Sequence, residues 1–366
     1  MEFYLPVRLL TGDHILSKNA ERIRAYGSRC LIVTSGSAAR RCGALDDVTA
    51  VLSEIGTAYA VYNGIQPNPS ISSCLEGGRI AKDFGAEFVI GIGGGSPLDA
   101  AKVVAVSAAN PELDERELYT MNWPKAPLPV ILVGTTAGTG SEVTPVAVIT
   151  NSAGFKKSFR GESMYAALSF GDPRYTASMP LRVTASTGVD ALAHCLESYF
   201  SRKATDVSRA FALQGIAQLL PPLQHVAEGV LPDPQEREIL YHGSLLGGMA
   251  ISVTGTVMPH NMGYYLTEQY GIPHGFACAA FLPALLRHAA AADPVYSDAL
   301  YRRVGMDGEA MTVLIRALTP DSGVCLSAEE IEALLPRWEN NASIQKTIGE
   351  ITKDQIRQIL QELFLR

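Results

Sequence analysis

Four residues of this chain have types and settings that could hold a metal ion. Asp190 and His194 lie four apart in Gly188-Val189-Asp190-Ala191-Leu192-Ala193-His194, a spacing that puts both side chains on one face of a helix. His260 and His274 each follow a proline, in Met258-Pro259-His260 and Ile272-Pro273-His274-Gly275. One carboxylate and three imidazoles form a hard-to-borderline donor set suited to Fe²⁺ or Zn²⁺. An Asp-x-x-x-His pair by itself is commoner as a surface pair, so the weight rests on the four together. His14, His225, His242 and His288 lack such a setting and read as surface or core residues. Cys195 is the cysteine to watch, because it adjoins His194.

A second group of residues could bind an anion. The string Gly91-Ile92-Gly93-Gly94-Gly95-Ser96-Pro97-Leu98-Asp99-Ala100-Ala101-Lys102 follows an apolar run and opens a helical pattern. Glycines let the backbone approach an anion closely, and free N–H groups at a helix start bind phosphate. Ser96 is expected at the N-cap, Pro97 at the first helical position and Asp99 at the third. The string is not the standard dinucleotide fingerprint, because Ser96 replaces the last glycine of G-x-G-x-x-G. Thr135-Thr136-Ala137-Gly138-Thr139-Gly140-Ser141-Glu142 follows the next apolar run. It offers hydroxyls at a strand end, the ligand edge of an open α/β sheet; a polar loop with local Ser/Thr turns is the plainer reading.

The elements that must position these residues change character along the chain. Residues 30–34 (CLIVT), 59–62 (YAVY), 87–92 (EFVIGI) and 130–133 (VILV) are apolar runs bounded by Gly, Pro, Ser or Asn, as strands buried on both faces of a parallel sheet would be. Helical patterns over 71–84 and 99–107 lie between them, and such alternation predicts an α/β layer with right-handed crossovers. Beyond Met179-Pro180, residues 185–202, 207–225, 234–254 and 277–292 are rich in Ala and Leu with helical periodicity. The tail over 327–365 reads as helical too, with starts at Ser327, in a capping-box pattern, and at Thr352. An α/β domain over residues 1–180 and an all-helical domain over 181–366 are therefore expected.

Composition narrows the classes of function. The chain has 366 residues, 47% of them apolar and 18% charged, with a net charge of −7. That suits a globular protein with a large core and argues against nucleic acid as the main partner, since phosphate binding needs clustered Lys and Arg. The most apolar stretches are short or are broken by Pro283, Arg287 and His288, so no membrane span is expected. The N-terminal residues lack a basic region followed by an apolar run, so a cytoplasmic protein is expected. Six scattered cysteines, with no C-x-x-C pair, read as reduced thiols.

Taken together, GGGSPLDAAK, TTAGTGSEVT, STGVDALAH after Met179-Pro180, the Pro67-Asn68-Pro69 turn and the histidines fourteen apart at 260 and 274 resemble the iron-containing alcohol dehydrogenase family. The resemblance covers nearly the whole chain; glycerol dehydrogenase and dehydroquinate synthase are more distant relatives of the same architecture. It implies an N-terminal nucleotide-binding α/β domain and a helical C-terminal domain. It also implies one divalent ion, Fe²⁺ before Zn²⁺, on Asp190, His194, His260 and His274, and an NAD(P)(H) cofactor. By motif, Gly94, Gly95, Ser96 and Asp99 would hold the pyrophosphate. Asn68, Thr135, Thr136, Thr139 and Lys157 would line the cofactor site, with Lys156 the competing choice for the last. The substrate would be a small alcohol or aldehyde, and the enzyme a homodimer or higher oligomer.

Two positions depart from the family pattern. Tyr264 stands where many members have a second histidine four residues after the third ligand, and is expected to shape the substrate pocket. Ser35 stands where many carry an aspartate that favours NAD over NADP, so NADPH is expected to be accepted. The expected chemistry is metal-assisted hydride transfer between an alcohol and the nicotinamide. A non-redox cyclase of the dehydroquinate synthase type is the alternative, but it needs basic groups for a phosphorylated acid, and no Lys/Arg cluster stands at the ligand motifs. A metal-free nucleotide-binding module is the remaining one.

Overall fold

The protein, described here by a computed structural model over residues 3–365, divides into two compact units. One is Tyr4–Met179, and the other joins Phe3 to the chain from Pro180 onward. The first is built on an all-parallel six-stranded sheet of order β1-β8-β5-β4-β2-β3. Its strands are β1 (Arg8–Thr11), β2 (Arg29–Val33), β3 (Ala58–Tyr62), β4 (Phe88–Gly93), β5 (Val130–Gly134) and β8 (Leu168–Gly171). Between β5 and β8 an antiparallel ribbon pairs β6 (Val146–Thr150) with β7 (Lys156–Arg160).

Strand alternation explains why the central strands read as continuous apolar runs. Ile32, Ile90, Ile131 and Leu168 stand in lateral register and share one core with Cys30, Phe88 and Val133. Their neighbours Leu31, Val33, Val89 and Leu132 point to the opposite core, formed with the helices Ile71–Phe84 and Gly95–Ala109. Both faces are covered, so both sets of side chains are apolar. The edge behaves differently. Tyr59 and Val61 of β3 are exposed, contrary to the expectation of a strand buried on both faces, because β3 has a partner on one side only. β1 and β8, four residues each, escaped the sequence reading because such short strands carry too little pattern, and the ribbon strands did because they are only partly buried and do not form continuous apolar runs.

Lys102 of the glycine string is a structural residue. Its side chain is buried, and Nζ donates to Thr144 O at 2.9 Å and Val146 O at 2.8 Å, anchoring the start of β6 to the Gly95 helix. Burial lowers its pKa from 10.5 to about 8, against the attraction of Asp99 and Glu142. Between pH 8 and 10.5 the unfolded chain keeps a proton that the fold has released, so this group's contribution to stability rises with pH across that window. Lys102→Met would leave the buried Thr144 carbonyl and the part-buried Val146 carbonyl without their donor, and we expect a loss of roughly 2 kcal/mol by urea unfolding.

The second unit is helical; no strand longer than an isolated bridge occurs beyond Gly171 among the described residues. The helices Leu181–Tyr199, Asp206–Ala227 and Pro234–Thr254 form its centre. The expected starts at Ser327 and Thr352 are both capping boxes. Residues 277–292 are two helices, not one: His274–Ala279, then Leu282–Ala292 with Pro283 in its first turn, where no intrahelical N–H is needed. The stretch His274–Ala292 has the length and apolar character to cross a membrane, but 67% of it is buried inside the protein.

Candidate functional site

Three helices of the second unit bring the donor residues together. Asp190 and His194 sit mid-way along Leu181–Tyr199, His260 in the first turn of Met258–Tyr270, and His274 at the first position of His274–Ala279. Each of the two later helices starts at or beside a proline, which the first turn tolerates because its N–H groups have no intrahelical acceptor. Close approach is built in by glycine. A Cβ on Gly275 would lie 1.8 Å from Ser186 O, and one on Gly263 would lie 2.9 Å from the Ala277 carbonyl. Only bare backbone at these two positions allows His274 to meet Asp190 and the third helix to meet the second.

The resulting geometry is that of a cation site. Asp190 Oδ1 lies 3.5 Å from His260 Nε2 and 4.0 Å from His274 Nε2. Donor atoms of Asp190, His260, His274 and Cys278 all lie within 4.8 Å of one another. His194 stacks on His260 with ring centroids 4.5 Å apart; it adjoins the four without belonging to that tightest group. Asp190 and His260 are almost fully buried, yet Asp190 Oδ1 and His260 Nε2 have no hydrogen-bond partner. Leaving two buried polar atoms unmatched costs about 1–3 kcal/mol each, and a divalent ion would satisfy both at once. The residues present therefore fit a metal.

Glu197, which the sequence reading missed, orients this cluster. Fully buried, it accepts from Val257 N at 2.6 Å and from His260 Nδ1. One carboxylate thus caps the Met258 helix and holds the His260 tautomer whose Nε2 lone pair faces Asp190, the carboxylate–histidine arrangement of many metal sites. Burial raises the Asp190 pKa, but the neighbouring imidazoles of His194, His274 and His260 outweigh it and hold the carboxyl below its usual range. For His260 burial lowers the pKa, yet Cys278, Glu197 and Asp190 together drive it well above 6.5. Cys195 is not part of the site. Its sulfur lies where Gly215 and Gly247 bring two helices against it, and burial pushes its thiol pKa up.

Tyr264 stands one helical turn beyond His260, and its ring stacks on His274 with centroids 5.6 Å apart and planes within 12°. Burial raises its pKa, only partly opposed by His260, so the phenol stays protonated.

The anion-binding candidates lie in the first unit. The helix begins two residues earlier than expected: Gly94 is the N-cap, Gly95 the first helical residue, and no side chain caps the turn. Ser96 is therefore inside the helix, and Pro97 is accommodated because it still lies in the first turn. A Cβ on Gly94 would lie 2.9 Å from Thr136 Oγ1, and one on Gly95 would lie 2.6 Å from Thr139 Cγ2. The glycine turn and the threonine loop thus pack backbone against side chain, and Thr135 N extends the pairing by donating to Gly93 O at 2.9 Å.

Other candidates scatter more widely. Asp99 is buried, with Oδ2 accepting from Val148 N at 2.8 Å, and so ties the ribbon to the helix. Asn68 is exposed in a left-handed conformation at φ 56°. Ribbon alternation separates the two lysines: Lys157 stands opposite Ile149 with Nζ over the Tyr119 ring at 4.2 Å, whereas Lys156 stands opposite Thr150 and its charge reaches Asp99. Ser35 closes an isolated bridge to Gly64 beyond the end of β2, and Arg41 donates to Ser37.

Comparison with known proteins agrees with both units. Residues 6–173 match the family model for iron-containing alcohol dehydrogenase, and residues 184–364 match that for the C-terminal part of Fe-containing alcohol dehydrogenases. A 1,3-propanediol dehydrogenase of Klebsiella pneumoniae is 33% identical over 80% of this chain and 76% of its own. A lactaldehyde reductase of Escherichia coli is 32% identical over 74% and 71%. The crystal structure of an iron-containing alcohol dehydrogenase from Thermotoga maritima superposes with a TM-score of 0.91 at 34% identity, covering 99% of both chains. With family models matching both units and relatives a third identical along most of their length, the chain belongs to the iron-containing alcohol dehydrogenase family and is a metal-dependent oxidoreductase of alcohols and aldehydes.

Proposed function

We propose that Asp190, His194, His260 and His274 hold one divalent ion, Fe²⁺ before Zn²⁺, and that the enzyme interconverts a small primary alcohol and its aldehyde with NAD(P)(H). The observation that carries this reading is the pair of buried, unmatched atoms, Asp190 Oδ1 and His260 Nε2, facing each other at 3.5 Å. When bound, the ion supplies a Lewis acid that lowers the alcohol's pKa or polarises the aldehyde carbonyl. The protein's own groups do the rest. Glu197 keeps the proton of His260 on Nδ1, so the ring offers a lone pair inward. Tyr264, stacked on His274, bounds the substrate's space with a phenol that donates a hydrogen bond but does not accept a proton. The N–H groups at the Gly94–Ser96 helix start would hold the pyrophosphate. The test is removal of the ion by a chelator: turnover should vanish and return with Fe²⁺ or Zn²⁺, and a metal-free protein with full activity would refute the reading.

A hydroxyl of Tyr264 that only shapes the pocket predicts that Tyr264→Phe keeps most of the wild-type kcat. Steady-state kinetics check this, and a loss of several orders of magnitude would instead show a catalytic hydroxyl.

NADPH belongs to the same reading. Ser35 places no carboxylate where it would repel a 2′-phosphate, and Arg40 and Arg41 follow on the short helix Ala38–Arg41. NADPH should be used at least comparably with NADH, and Ser35→Asp should shift preference toward NADH by like-charge repulsion. Ratios of kcat/KM for the two cofactors decide it. The reading extends to a homo-oligomer in the cytoplasm, supported by six free cysteines and by Tyr59 and Val61 exposed on the edge strand β3.

A further inference from the structure

The helix that carries His260 is entered through a turn that only glycine makes without strain. Gly255 ends the helix Pro234–Thr254 with φ 68° and ψ −179°, a combination essentially closed to residues with a Cβ. Its N–H still donates to Ile251 O at 2.8 Å, and two residues later Val257 opens the Met258 helix as its N-cap. The hydroxyl of Thr254 holds the turn: its Oγ1 lies 2.8 Å from Gly255 O and 3.1 Å from Ser198 Oγ. Ser198 adjoins Glu197, and all three side chains are buried. Val257 has no side-chain oxygen to cap its helix. Its N–H instead donates to Glu197 at 2.6 Å, and the other oxygen of that carboxylate accepts from His260 Nδ1. The backbone donor that anchors Glu197 is therefore placed by the turn at Gly255. With an ordinary conformation there, the chain would leave the helix in another direction and carry Val257 N away from the carboxylate.

We propose that Gly255, held by Thr254, is a positioning residue of the metal centre that acts through Glu197 on His260. The inference rests on the reading of Asp190, His194, His260 and His274 as the metal centre. A carboxylate that orients a ligating imidazole governs how tightly the ion is held. The glycine turn contributes no donor atom, yet it sets the affinity of the four residues that do.

Metal affinity, set against an equivalent glycine elsewhere, separates this role from plain structural support. Zn²⁺ binding to stripped protein is measured by competition with a chromophoric chelator, and Gly255→Ala should bind about tenfold to a hundredfold more weakly than wild type. Gly305→Ala is the control. Gly305 also has φ 68° at a helix end, with nothing within 4 Å of an added Cβ, so the change should lower Tm and leave Zn²⁺ affinity as it was. In a Glu197→Gln background, where the carboxylate route is already weakened, Gly255→Ala should cost no more than about twofold further. Wild-type affinity in Gly255→Ala overturns the proposal. So does an equal loss in Gly305→Ala, or a full loss repeated on top of Glu197→Gln. A wild type that binds no Zn²⁺ overturns the metal centre itself, and this role with it. If Gly255→Ala does not fold, Thr254→Val reads the same route by freeing the Gly255 carbonyl. It should weaken Zn²⁺ at least about threefold, and unchanged affinity there overturns the proposal as well.

Discussion

Asp190→Ala should give a folded protein that retains no divalent ion and turns over alcohol at least about a thousandfold more slowly, the several kcal/mol of Lewis-acid stabilisation lost with the ion. Asp190 Oδ1 approaches both His260 and His274, so it is the donor the others share. Folding should survive, because Asp190 Oδ1 has no hydrogen-bond partner to lose. The same groups set a pH dependence. In the metal-free protein the His260 pKa is raised well above 6.5, and that of Asp190 is lowered. A proton on His260 Nε2 competes with the ion for that lone pair, and the raised pKa carries the competition to higher pH. Apparent affinity should therefore rise with pH. Metal analysis of the variant, and titration of the stripped wild type at several pH values, check both statements. An affinity that falls as pH rises would contradict the assignment.

Gly95→Val should weaken the nicotinamide cofactor by about tenfold to a hundredfold while leaving metal content unchanged. The added Cβ would lie 2.6 Å from Thr139 Cγ2, so the threonine loop must move or the helix start must shift. Such overpacking costs about 1–3 kcal/mol of stability, and the valine side chain also stands between the first-turn N–H groups and an incoming phosphate. Gly94→Val, with its Cβ 2.9 Å from Thr136 Oγ1, should behave alike. The donor residues of the metal centre all belong to the other compact unit, so they should keep their ion. Fluorescence titration with NADPH and metal analysis on the same preparation give both numbers. Lost metal with intact nucleotide affinity would show that the two half-sites have been assigned the wrong way round.

Much of the fold was legible from residue order, for reasons that can be named. β2, β4 and β5 lie inside the sheet, so burial on both faces wrote them as unbroken apolar runs. Ser327 and Thr352 marked helix starts because a capping box is a contact between residues three apart. Asp190 and His194 were legible as a pair because helical periodicity is local. The exact start of the Gly95 helix was not: Ser96 and Pro97 have the chemistry of a cap and a first residue, but the turn's packing on Thr136 and Thr139 moved the start to Gly94 and Gly95. That Lys156 and Lys157 point to opposite faces likewise needed the ribbon's register, because its pairing lies outside the local pattern.

The sequence by itself determined the residue types that could meet a metal and a phosphate, and the local elements that carry them. Only the tertiary structure decided which of those donors converge. Glu197 reaches His260 across 63 positions of chain. Cys278, not Cys195, is the thiol that borders the site, because Gly263 and Gly275 let three helix backbones approach more closely than any Cβ would allow. Periodicity reports the face of one helix; which faces meet, and how closely, is set by packing between segments far apart in the chain.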